Sequence, residues 1–496
     1  MGDSMKYSNQ FRLNRAFIWL PILSVVLASC GGGGGDSGPP PETTAPTITV
    51  TSHTDGQEII GARTITLQGT VSSDTQSVSI LQNGGSIPAT LSGDTFSADV
   101  TMADRDNTFE ISATDAADNK GSTSITLNYP FLSFEDGQKA SMVIGQPDFI
   151  SGDVNRGNPM PSANSLNQPD GNMALDSSGN LYVPDSGNNR ILVFSGIPSE
   201  SDWDANATDV IGQPGFSSAL TDTLWGPFGV NIDNDRLFIV DIGNNRILIW
   251  PVGGVQAEVV IGQQGSTGSD QCSINTLNEP YDVYVVENKV IVADTSNNRV
   301  LIWNEIPTKD GQDADVVLGQ SGFDTCFANE SEVSDAPPSA HSLNDPTGVW
   351  SDGTRLVVAD ALNNRVLIWN TFPTTGKDAD IVLGQSLMTT NIGATTQEGL
   401  WGPYNIRSNK NQLFVTDVNN SRVLVWDTFP TQAHEPASRV LGFDNFTTET
   451  YPDASQTSLG GPAGLLVTGD KLLVADDYFN RFMIFQAPYQ GFVQTH

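Results

Sequence analysis

Positive charge is scarce in this chain. Against 57 Asp and Glu there are only 23 Lys and Arg, which gives a formal net charge of −34 and a pI near 4.1 over 496 residues. So acidic a surface cannot neutralise a run of phosphates, which excludes nucleic acid as a partner and argues against anionic membrane surfaces. Glutamate is scarce as well, supplying 14 of the acids and leaving 43 aspartates. Asp favours turns where Glu favours helix interiors, so the bias predicts turn-rich β-structure, in keeping with 48 Gly and 28 Pro. Histidine is limited to His53, His341, His434 and His496, and cysteine to Cys30, Cys272 and Cys326. The apolar run from Ala16 to Leu27 is too short, and too closely followed by glycine, to read as a membrane span.

That run reads instead as an address. Lys6, Arg12 and Arg15 precede it, and Leu27-Ala28-Ser29-Cys30 follows it. The last four residues resemble a bacterial lipobox, in which the cysteine is acylated and becomes the new N-terminus. The resemblance implies a lipoprotein signal peptide over 1–29, lipidation at Cys30, and a cell-envelope location in which the lipid anchor alone meets the membrane. Gly31 after the cysteine favours the outer membrane, on its periplasmic or its surface face. Residues 30–44 read as a Gly- and Pro-rich tether. Within it, Gly35-Asp36-Ser37-Gly38-Pro39 looks like the nucleophile motif of trypsin-like proteases, but a tether supplies neither a fixed base nor oxyanion donors.

From 45 to 129, apolar and polar residues alternate at strand period between Asp-Gly, Asn-Gly-Gly and Ser-Gly-Asp turns, which predicts a β-sandwich. The segment resembles bacterial Ig-like domains, notably in its stretch from Asn107 to Asn119, and the resemblance implies a spacer or adhesion module. Residues 134–488 are repetitive. The unit Asp-x-x-Asn-Asn-Arg followed by an apolar strand starts at Asp185, Asp241, Asp294 and Asp360, with altered copies at Asp417 and Asp476. Each unit holds four strand-like pieces, and four strands repeated around a closed ring give a β-propeller. Met142 to Gln146 precedes any complete unit, and the chain's last strand, from Arg481 to Phe485, lacks an outer partner. The two therefore predict six blades closed by an N-terminal outer strand. The repeat resembles the NHL family, whose Asp-Ser-Gly-Asn-Asn-Arg stands here letter for letter at Asp185 to Arg190. The expected fold is thus all-β, an Ig-like sandwich followed by a six-bladed propeller of NHL type.

A feature common to all six blades must serve packing, whereas one that varies inside the fixed frame is free to serve a ligand. By that rule the six Asp–Arg pairs are structural. Variation follows the Pro that opens each innermost strand: Asp170, Phe228, Tyr281, Thr347 and Tyr404 come one residue later, Asp282 and Asn405 two later. Trp225 and Trp401 stand two residues before the Pro of blades 2 and 5. Together these nine predict an aromatic mouth with polar anchors at one end of the channel, the upper end. NHL-like enzymes such as the streptogramin lyases use histidines around the channel, and no His falls on a channel position here. Six-bladed lactonases hold a divalent cation with Glu, Asn and Asp; for that chemistry Asp170, Asn172, Asp282 and Asn405 are the candidates, with Ca²⁺ as the possible ion and no other cofactor. Cys272 and Cys326, the remaining thiols once Cys30 is lipidated, predict a disulfide in an oxidising compartment. The expected function is a non-catalytic platform that binds an envelope protein, peptide or glycan. The competing expectation is a cation-dependent propeller lactonase or esterase, or a lyase, working at the channel mouth.

Overall fold

A computed structural model describes residues 43–488, apart from 222, 264–271, 334 and 449–450. The expected signal peptide, Cys30 and nearly all of the tether lie outside the described residues. The structure is all-β, and among the described residues the helical pieces are short 3₁₀ turns. The described residues from Ala45 onward belong to one compact unit.

The N-terminal sandwich pairs a four-stranded sheet with a five-stranded one. Its strands bury every second residue, as in Thr95–Thr101, where Phe96, Ala98 and Val100 enter the core. Six four-stranded sheets follow, each built from consecutive antiparallel strands, as in Ala174–Leu175, Leu181–Asp185, Arg190–Phe194 and Asp209–Ile211. The last sheet departs from that order. Met142–Ile144 pairs with Arg481–Gln486 in the register Met142↔Ile484, Val143↔Met483 and Ile144↔Phe482, and so supplies the outer strand missing from the C-terminal blade. Inside the ring the strands converge so closely that Gly171 cannot be replaced. A Cβ there would sit 1.2 Å from the Phe228 carbonyl oxygen of the next blade, and its φ of +76° is itself hostile to a side chain.

The repeated motif now has a physical account. After each Asp the chain makes one 3₁₀ turn and then a left-handed residue, with φ between 50° and 55° at Asn189, Asn245, Asn298, Asn364, Ser421 and Asn480. Asparagine is the side-chain-bearing residue best suited to that conformation. Its carboxamide oxygen also accepts an N–H from the loop of the following blade: Asn189 from Gly226, Asn245 from Glu279, Asn298 from Asp345, Asn364 from Gly402, and Asn480 from Gln168. The buried Asp binds the Arg five residues on at 2.6–2.8 Å in all six blades. The glutamine ending a fourth strand caps the same hairpin, as Gln320 Nε2 does by donating to the Asn298 carbonyl at 2.9 Å.

The Ig-like domain is not a free-standing spacer. Asn411 Nδ2 donates to the carbonyls of Ile59 and Pro130, and its Oδ1 accepts the Gly61 N–H at 2.7 Å. Gln412 bonds both polar groups of Leu132, and Arg105 pairs with Asp470 at 3.2 Å. The domain is thereby seated against turns of blades 5 and 6 at the end of the channel opposite the innermost-strand prolines, the lower side.

Candidate functional site

Phe228, Tyr281 and Tyr404 come from blades 2, 3 and 5 and converge over the channel. Their ring centroids lie 4.5, 5.7 and 6.0 Å apart. At these separations the rings pack on one another and fill the upper mouth, where the sequence predicts rings standing around an opening. Thr347 is buried, with its hydroxyl donating to the Pro403 carbonyl at 3.3 Å. Asn405 is buried too, its Oδ1 accepting the Ile406 N–H at 2.8 Å. Neither faces an opening.

Asp170 lies beside this plug, not among metal ligands. Burial pushes its carboxyl well above the usual carboxylate range, and the charge of Asp477 pushes it further. Asp477 is itself raised to about 6, first by burial and then by Asp476, and its Oδ1 is buried without a hydrogen-bond partner. Burial followed by Asp170 also drives the Tyr404 hydroxyl well above its ordinary value. Both carboxyls therefore hold a proton more tightly in the folded chain than in the unfolded one. Stability falls as pH rises above about 4, and the Asp477 contribution is complete just above pH 6. Two units of displacement at Asp477 correspond to at most about 3 kcal/mol before solvent screening. Thermal melts are expected to give a lower Tm at pH 8 than at pH 5, and the double variant Asp170→Asn, Asp477→Asn to flatten that difference; an unchanged slope in the double variant rules the pair out as its source.

Below the rings, a polar bolt crosses the channel. Asn172 Nδ2 donates to Asp282 Oδ1 at 2.9 Å, the Val349 N–H donates to Asp282 Oδ2 at 3.0 Å, and Arg407 reaches both carboxylate oxygens at 3.3 Å. The Leu465 N–H completes the span by donating to Asn172 Oδ1 at 2.9 Å. Asp282 and Asn172, expected at the mouth as anchor and cation ligands, thus belong to an interior clamp. Both oxygens of Asp282 are taken and a guanidinium already balances its charge, so a cation held there would have to displace Arg407. Among the described residues, no group of three or more His, Cys, Asp or Glu is placed to hold a metal ion.

Arg407 is the residue that sequence reasoning missed, and a signal for it was present. It stands four residues after its Pro, and the same place in the other blades holds Met173, Asn231, Tyr284, Trp350 and Leu466. All six line one cavity of about 210 Å³ in the lower channel. Side chains two and four residues into a strand share a face, so the variability seen two residues after the Pro continues downward.

The rim of the upper face has a different character. Trp225 and Trp401 are 49% and 48% exposed, and the Trp225 ring lies against the bare backbone of Gly243. Of the sixteen large apolar side chains exposed among the described residues, thirteen belong to the upper connections: the fourth-to-first-strand loops and the Asp–Arg hairpins. Cys272 and Cys326 form the expected disulfide, Cα atoms 6.1 Å apart, joining the upper connections into blades 3 and 4.

These features define the class: an all-β chain in which an Ig-like sandwich is seated under a six-bladed β-propeller. Residues 46–131 match the family described as glucodextranase, domain B. No curated protein matches the chain. Among solved structures, the streptogramin B lyase is similar at 11% identity, over 85% of this chain and 98% of that one, with a TM-score of 0.36. The PQQ-bound aldose sugar dehydrogenase from Streptomyces coelicolor is similar at 13% identity, over 70% and 99%, with a TM-score of 0.35. The nidogen/laminin complex is similar at 13% identity, over 73% and 97%, with a TM-score of 0.33. These neighbours include enzymes and a binding complex, and likeness at this level transfers no activity.

Proposed function

We propose that this protein is a cell-envelope lipoprotein, anchored through Cys30 to the outer membrane, whose propeller docks a protein partner on its upper face without catalysis. The observation that carries this reading is the concentration of exposed large apolar side chains on the upper connections. Scattered apolar residues are normal on a soluble surface, but their collection on one side of a rigid ring marks an interaction face. The lower side, by contrast, is partly occupied by the Ig-like domain. The plug and the bolt leave no open catalytic constellation at the upper mouth, which disfavours the hydrolase and lyase readings. A peptide or a glycan is the other occupant considered, because Trp225, half exposed beside Gly243, offers ring surface for stacking.

A photo-crosslinking residue placed at Trp401 in cells is expected to yield a discrete protein adduct. The same residue at Val255, which is 92% exposed on the lower side, is expected to yield none. Adducts of equal yield from both positions, or from neither, would overturn the reading.

A further inference from the structure

The channel is closed above and open below. The lower cavity, lined by all six innermost strands, shares Tyr284, Trp350, Ser408, Val467 and Thr468 with a cleft of about 730 Å³ that runs out between the lower rim and the Ig-like domain. The Asp282–Arg407 bolt makes the inner end blind, so what enters is an end group and not a threading chain. From this geometry we infer a second binding site, independent of the upper face, for the terminal ring of a neutral oligosaccharide, with the following sugars lying in the cleft.

Three observations fix the chemistry. The first is the absence of free charge in the lumen, since Arg407 is already matched by Asp282. At the rim Glu58, Glu287, Asp352 and Asp470 are likewise paired, with Lys410, Lys289, Arg355 and Lys471, so the entrance offers matched charge that favours a neutral ligand over an ionic one. The second is an unmet hydrogen-bonding demand. Asn231 Oδ1 is buried against the cavity with no partner, a state that costs about 1–3 kcal/mol unless a donor arrives. The Thr468 side chain stands in the same wall, so a hydroxyl that can donate or accept joins that oxygen in matching the ring hydroxyls of a sugar. The third is a stiff aromatic wall. Tyr284 lies 6.4 Å from Trp350 and 5.3 Å from the Arg407 guanidinium, while Trp350 is held from behind by Phe429 at 5.8 Å. An apolar ring face combined with hydroxyl-matching polar groups is the surface a pyranose presents for and requires.

The test is calorimetric titration of the full, detergent-solubilised chain with a panel of neutral trisaccharides (α- and β-linked glucose, galactose, mannose and N-acetylglucosamine) alongside a trigalacturonate. At least one neutral member is expected to bind, the uronate not. Asn231→Leu is expected to weaken that binding by tenfold or more, and Val255→Ala, at an exposed position outside both sites, to leave it unchanged. Thr468→Val, a near-isosteric change, provides a second variant should Asn231→Leu fail to fold, and is expected to weaken binding about fivefold. Silence across the neutral panel, tighter binding of the uronate, or binding indifferent to both lumen variants overturns the inference.

Discussion

Asp360→Ala is expected to cost about 3–5 kcal/mol of folding stability. The carboxylate is fully buried. Its Oδ1 accepts the Asn344 N–H at 2.7 Å, and its Oδ2 accepts from Asn363 at 2.8 Å and from Arg365 Nε at 2.7 Å. Removing it strands the Arg365 guanidinium, also fully buried, among the carbonyls of Ser339, Ser342 and Met388, which can accept its hydrogen bonds but cannot balance its charge. Asp241→Ala is the internal comparison. Its arginine, Arg246, keeps 19% side-chain exposure, so water can compensate and the loss should be smaller. Urea denaturation of both variants decides the matter: equal losses, or a loss at Asp360 below about 1 kcal/mol, would show that burial of the pair does not set its importance.

Val143→Asp is expected to be as damaging, by a different route. The closing strand is three residues long and is the outer partner of the last blade. Val143 is 2% exposed and packs in a cluster with Phe134, Phe414, Val423 and Met483. An unpaired carboxylate at that place costs several kcal/mol and uncovers the edge of Arg481–Gln486, which the ring otherwise protects. The expected result is loss of soluble, protease-resistant protein. Val255→Asp, at a 92% exposed position, should stay within about 0.5 kcal/mol of the parent. Val143→Asp protein that melts like the parent would mean the ring closes without this strand.

Both of those features were legible in the sequence, because each rests on repetition. Six copies of Asp–Arg announce a shared structural task, and a fourth-type strand with no unit before it announces a closure. The channel was not legible in the same way. Phe228, Tyr281 and Tyr404 occupy equivalent positions in three blades, but whether such rings line a mouth or fill it depends on the ring's radius, which no local pattern encodes. The bolt joins Asp282 to Arg407 across 125 residues, a pairing that exists only because blades 3 and 5 face a common axis. The seating of the Ig-like domain likewise joins residues some 350 apart, as in Asn411 with Ile59, and neither partner is distinctive alone.

The paired fixings of the upper connections carry one more implication. A connection such as the one from Gly319 to Ser342 leaves its blade at a glutamine that caps the preceding hairpin, and it arrives at a backbone N–H that the preceding hairpin's asparagine receives. Both feet of the loop are therefore secured to the same hairpin, whatever lies between them. Variation in length is accommodated between those feet provided the loop still delivers the carbonyls of Phe323, Ser339 and Ser342 to the buried arginines of blades 3 and 4, so the ring constrains its loops at a few backbone acceptors and leaves the remaining stretches to meet a partner.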